Sequence, residues 1–207
     1  MNKSKYKIYN GRALKEFIVN TRIIILIILF CIGIICGALI LKSDINFSDG
    51  ISDIFNLYSE LRKQNGILNN FLNSIKMNGL LIIVSMFLGF SVIGCPFITL
   101  VPLMKGLAIG AVSGYLYSMY KLSGVGYSIL MIYPGSIVSS YALLKSCNDS
   151  FEYSRNLYYK AIKGRGQYEK DETRIYLLRQ LVLLGICMIS SLIDVVTSEL
   201  FSGLFEI

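Results

Sequence analysis

The chain has 207 residues, 54% of them hydrophobic and only 16% charged, and its mean hydropathy is +0.60. Water-soluble domains carry about 25% charged residues, so this composition points to lipid as the solvent. There is no His, and the five Cys include no Cys-x-x-Cys pair, which excludes His-ligated metal or haem, His-based triads and thiolate knuckles.

The first 22 residues are basic, with Lys3, Lys5, Lys7, Arg12, Lys15 and Arg22. An uncharged run from Ile23 to Leu41 follows, bounded by Arg22 and Lys42. A bilayer core needs about 20 apolar residues, so 23–41 is the first predicted span. It is too long for the apolar core of a cleaved leader and reads as a retained anchor. Residues 42–76 form a polar segment that opens with the turn-rich Ser48-Asp49-Gly50. Ile54, Leu57, Tyr58 and Leu61, and then Ile67, Leu68, Phe71, Leu72 and Ile75, recur at helical spacing. The pattern predicts two short amphipathic helices, the second running into the next span.

The run from Met77 to Met104 is long for one span, and Cys95-Pro96 and Pro102 interrupt it. Proline removes a backbone donor and clashes with the preceding turn, which predicts a kink or break near Gly94. The reading is a second span over 77–95, a broken or re-entrant connector over 96–105, and a short third span over 106–120. The fourth span, 122–144, has Pro134-Gly135 at its middle, with Ser136, Ser139 and Ser140 nearby. Such a break is a kink, or else lines a substrate path. Residues 145–179 form a second basic loop in which Asp149-Ser-Phe-Glu152 resembles a capping box. It predicts a separate helix over 150–163 on the membrane surface, ended by Gly164. The last span covers 177–198, and 199–207 remain as a tail. The whole is an all-α polytopic bundle of about five membrane helices forming a single integral membrane domain; six result if 96–105 crosses by itself.

Basic residues mark the cytoplasmic side of short loops. With the N-terminus inside and five spans, the inside holds 15 basic residues: the six in 1–22, Lys105, and eight between Lys145 and Arg179. The outside holds five: Lys42, Arg62, Lys63, Lys76 and Lys121. The N-terminus is therefore expected inside and the C-terminus outside. The net charge of +7 is accounted for by topology and contact with anionic lipid, with no nucleic-acid partner.

Three patterns carry candidate sites. Gly106, Gly110 and Gly114 lie on one helix face, where a second backbone can approach closely. Gly33 and Gly37 form a weaker feature of the same kind. These faces suit docking of a helix, from a partner, from a second copy, or from the chain's own bundle. Lys105 and Asp194 are the polar residues of the apolar runs; Lys105 is expected to snorkel to the inner headgroups, and Asp194 to sit near the outer boundary. Catalysis needs a nucleophile or an acid–base pair within reach of each other, and no motif of that kind is present, nor any cofactor or metal motif.

Gly89-Phe-Ser91-Val-Ile93-Gly94-Cys-Pro96, followed by Lys105-Gly106-x-x-x-Gly110-x-x-x-Gly114-Tyr-Leu116, resembles the core of the stage II sporulation protein M family. The order of basic N-terminus, anchor, outer segment, mid-span proline, basic loop and final span is similar too. Many of the wider family carry a polar His or Glu near the position of Pro134. Gly135, Ser136 and Ser139 stand there in this chain, which fits the sporulation branch. The resemblance implies a multi-pass membrane protein without enzymatic activity, acting in forespore engulfment. It also implies anchoring of peptidoglycan-degrading partners, stage II sporulation proteins D and P, at the septum. The alternative is a transporter or channel subunit with a polar path near Pro96–Pro102 and Pro134, lined by Ser113, Ser136, Ser139 and Lys105.

Overall fold

The computed structural model describes residues 21–40, 67–163 and 170–201. The predicted helix over 54–61, the turn at 48–50, the terminator Gly164 and the tail from residue 202 lie outside these residues. Among the described residues there is no strand. The helices are α1 (Thr21–Ile40), α2 (Ile67–Gly89), α3 (Gly94–Tyr127), α4 (Tyr133–Lys163) and α5 (Lys170–Phe201). Four stretches are long and apolar enough to cross a membrane: Thr21–Ile40, Ile67–Gly89, Gly94–Ala161 and Asp171–Leu200.

The third of these stretches is a hairpin. Lys121 has φ 49° and ψ −121°, a non-helical backbone inside the α3 register. Beyond it the chain doubles back, so that the Tyr133 hydroxyl reaches the Ser113 hydroxyl at 3.3 Å. On a straight helix these two residues would lie about 30 Å apart. Gly124 passes so close to the Leu116 carbonyl that a Cβ there would approach it to less than 3.0 Å. Two arms of helical length therefore come from one apolar stretch, 94–120 and 122–163.

The break between the second and third apolar helices falls at residues 90–93, not at 96–105. A short turn forms there, with Phe90, Ser91 and Gly94 donating to Phe87, Leu88 and Ser91 carbonyls at 3.1 Å. The predicted connector is helical throughout, and so belongs to the third span. Pro96 is the third residue of α3, where a missing N–H has no intrahelical partner to lose. Pro102 is buried inside the helix, a position that membrane helices tolerate when neighbouring helices pack around it. At Pro134 the predicted irregularity takes the form of a π-helical stretch, Ser128–Ile132, in which the Tyr133 N–H donates to the Ser128 carbonyl. The wider turn absorbs the proline just after it.

The separate helix predicted from an Asp149 cap is absent. Helix α4 runs without a break from Tyr133 to Lys163, and Asp149 pairs with Lys145 at 3.7 Å along it. Ser146 and Ser150 are buried against α2 and α5, and Ser154 against the 90–93 turn, which holds this segment in the bundle. The second amphipathic pattern does run into the next span, since α2 is continuous from Ile67.

The apolar core draws on every helix: Leu26 from α1, Ile82 from α2, Ile98 and Val101 from α3, Ala142, Leu143 and Cys147 from α4, and Cys187 from α5. Around it the pattern is inverted relative to a soluble protein. Ile24, Ile35, Leu80, Phe87, Leu181 and Leu192 are exposed, whereas Ser85, Ser146, Ser150, Ser154, Gln180, Ser190 and Ser191 are buried. Lipid gains nothing by expelling leucine, so small and hydrogen-bonding side chains make the helix contacts.

Candidate functional site

The glycine faces meet each other. Gly106 lies against Phe30 and Ile34, Gly110 against Ile34, and Gly114 against Ala38. In return Gly33 lies against Leu103, Gly106 and Leu107, and Gly37 against Leu107 and Ala111. The pairs advance in the same direction along both chains, so α1 and α3 run parallel. A Cβ at Gly33, Gly37, Gly106 or Gly110 would come within 3.0 Å of the opposing backbone. Only hydrogen fits there, and the gain is close dispersion contact of one backbone on another.

A second feature is polar and lies deep in the bundle. Lys105 follows Gly94 by 11 positions, which places it about 17 Å along α3. Its ammonium donates to the side-chain amide oxygen of Asn78 on α2. Lys105 therefore turns into the bundle and does not snorkel: the helical connector moves it away from the helix end. Asp194 is engaged inside as well. Its carboxylate accepts the Ser74 hydroxyl at 3.0 Å and lies against the Gly135 backbone, where a Cβ would collide with it. The Ser190 hydroxyl donates to the Gly135 carbonyl at 2.7 Å, pinning α5 to α4 just after the π-helical stretch. Four helices thus converge on this layer, and Pro134-Gly135 supplies the backbone opening that admits the carboxylate.

A third feature had no counterpart in the sequence reading. Ser85 and Ser146 share a hydrogen bond of 2.6 Å, and Ser146 donates to Gln180 at 2.6 Å. The Gln180 amide returns bonds to the Ser146 carbonyl at 3.3 Å and the Ser150 hydroxyl at 3.2 Å. Ser150 bonds Tyr176 at 2.9 Å, whose hydroxyl reaches the Met86 carbonyl at 3.0 Å. Tyr153 stacks on Tyr176 at 4.4 Å, and Phe90 meets both rings edge-on at 5.5 Å. The signal was the Ser146, Ser150, Ser154 stripe at four-residue spacing, one face of a helix. Beside it a cavity of about 180 Å³ opens between α4 and α5, lined by Asp149, Glu152, Tyr153, Asn156, Glu172, Ile175, Tyr176 and Arg179.

The hydroxyls predicted to line a path have partners close by. Ser113 donates to the Ile109 carbonyl at 2.8 Å and Ser139 to the Ser136 carbonyl at 3.2 Å, each within its own helix. Gly94, the predicted break point, begins α3 and packs against the Leu88 carbonyl across the tight turn. Among the described residues, no three His, Cys, Asp or Glu side chains come together to hold a metal ion.

These features define an all-α polytopic membrane protein whose helices are joined by glycine and serine contacts. The family model described as Stage II sporulation protein M matches residues 26–199, and the chain belongs to that family. No curated protein and no solved structure matches the chain.

Proposed function

We infer from membership in the family that this is a sporulation-related membrane protein. We propose that it acts as a non-enzymatic scaffold in forespore engulfment, anchoring the peptidoglycan-degrading stage II sporulation proteins D and P in the septal and engulfing membrane. The observation that carries the reading is the family match over residues 26–199, which reaches into every described helix. The N-terminus is cytoplasmic and the C-terminus extracytoplasmic in this reading. The basic residues support it, and the parallel course of α1 and α3, with α2 between them, agrees with the alternating order of crossings it needs.

The surface offered to partners is the extracytoplasmic segment that leads into α2. The glycine face of α3 is taken up by α1, so it is not free to receive another helix. At the start of α2, Ile67 and Leu68 are 61% and 72% exposed, and they belong to the second amphipathic pattern. A photo-crosslinking residue at Phe71 and another at Tyr58, in sporulating cells, tests the proposal. Capture of the two wall-degrading proteins supports it. Capture of neither, with the variant correctly inserted, refutes it.

A further inference from the structure

The buried polar residues of α2 are held in two different ways along its length. Toward the cytoplasmic end, Ser85 and the Met86 carbonyl join a network of neutral groups: serines, Gln180 and Tyr176. Toward the other end, Ser74 and Asn78 are bound by ionisable groups, Asp194 of α5 and Lys105 of α3. Ser74 and Asn78 are one turn apart on the same face, where Cβ atoms lie about 5–6 Å from each other. The two bonds therefore bring a carboxylate and an ammonium to one face of α2, about one turn apart and inside the bundle, where an uncompensated charge is costly. The rest of this half of α2 offers little apolar packing. Leu68, Leu72 and Met77 are exposed, Phe71 and Ile75 are half-buried, and Ser74 is the buried residue of 67–78.

We propose that Lys105 and Asp194 are one charge latch, closed through Asn78 and Ser74, that holds residues 67–78 of α2 against the bundle independently of the neutral network below. Each charge makes the other tolerable in lipid. Removing one strands its partner and releases this half of α2; removing both leaves no stranded charge and lets it settle back.

The test is hydrogen–deuterium exchange on the full chain in lipid nanodiscs. It compares the wild type with Lys105→Met, Asp194→Asn, the double variant, and Asn78→Ala, which keeps both charges and cuts the bridge. Each charge-removing single variant is expected to speed exchange about tenfold in peptides covering 67–78 and to leave 82–92 unchanged. The double variant is expected to return most of the way to wild type, because each charge's cost depends on the other. Asn78→Ala is expected to give a smaller effect in the same peptides and serves if a charge variant does not fold. The proposal is overturned if exchange rises equally along all of α2. It is also overturned if the double variant equals the sum of the singles, or if Asn78→Ala leaves 67–78 unchanged.

Discussion

Gly110→Leu is the sharpest test of how this bundle is held together. A Cβ at Gly110 would lie within 3.0 Å of three atoms of Ile34, its carbonyl oxygen, carbonyl carbon and Cα. All three are backbone, so no rotamer change makes room, and a leucine forces α1 and α3 apart along the whole glycine seam. Overpacking in a dense core costs about 1–3 kcal/mol where side chains can still yield. Here the contacts at Gly33, Gly37 and Gly106 are lost in addition, and the expected cost is about 3 kcal/mol or more. That is roughly a hundredfold in the folding equilibrium. The assay is reversible unfolding of the full chain in mixed micelles, followed by helicity and by protection of α1 from proteolysis. Gly185→Leu is the control for size, because a Cβ there meets nothing within 4 Å. If Gly110→Leu unfolds at the same denaturant midpoint as Gly185→Leu, with α1 still protected, the seam does not hold α1 and the reasoning fails. The outcome also bears on function. Should Gly110→Leu reduce partner capture, the loss is expected to track the loss of α1 packing, since the face is already filled.

Three further predictions follow from single contacts. Lys121→Gly relieves a left-handed backbone, φ 49° and ψ −121°, that favours glycine, and is expected to raise stability by about 1 kcal/mol in the same unfolding assay. Gln180→Leu removes the fully buried amide that joins Ser146 and Ser150, and is expected to cost about 1–3 kcal/mol and to loosen α4 from α5 in hydrogen exchange. Gly135→Ala places a methyl where the Asp194 carboxylate sits, and is expected to break the Ser74 bond and speed exchange in 67–78, with a cost of about 1–3 kcal/mol. Wild-type behaviour of the alanine variant would show that the carboxylate has room elsewhere.

Class and span content were legible because lipid imposes a length rule. Uncharged runs of about 20 residues between charges fall on helices that are long and apolar enough to cross a membrane. What was not legible was continuity. Proline is a breaker in a soluble helix interior, and Pro96 and Pro102 were read that way. Packing by neighbours overrides the local penalty, and the actual break falls at Phe90–Ile93, four residues with no strong turn signature. The Asp149 capping box failed for the same reason. A local hydrogen bond at a helix start is worth about 1 kcal/mol. The continuous helix instead keeps Ser146 and Ser150 in register against α2 and α5, and Ser154 against the turn at 90–93. The glycine positions were visible as two faces, but their pairing was not, because spacing says that a backbone is approached and not by which one. For Lys105 and Asp194, position along the chain does not reveal the side-chain partners that α2 provides, Asn78 and Ser74.

The arrangement divides labour between two kinds of contact. Glycine seams give strong adhesion only at one separation and register, since dispersion falls steeply with distance. They fix α1 on α3 rigidly. Hydroxyl, amide and charged contacts are directional, and each is worth little net in lipid, averaging about 0.6 kcal/mol in double-mutant cycles, because the separated helices find other partners. Beside its apolar packing at Ile82, helix α2 carries contacts of that second kind to α4 and α5, at Ser74, Ser85 and the Met86 carbonyl, and to α3 at Asn78. A helix held by several weak directional bonds can change its seating at lower cost than one locked by backbone contact. The segment entering α2 is also the one proposed to face the cell wall. In this bundle α1 and α3 are joined by backbone contact, and α2 is the helix whose seating depends on directional bonds.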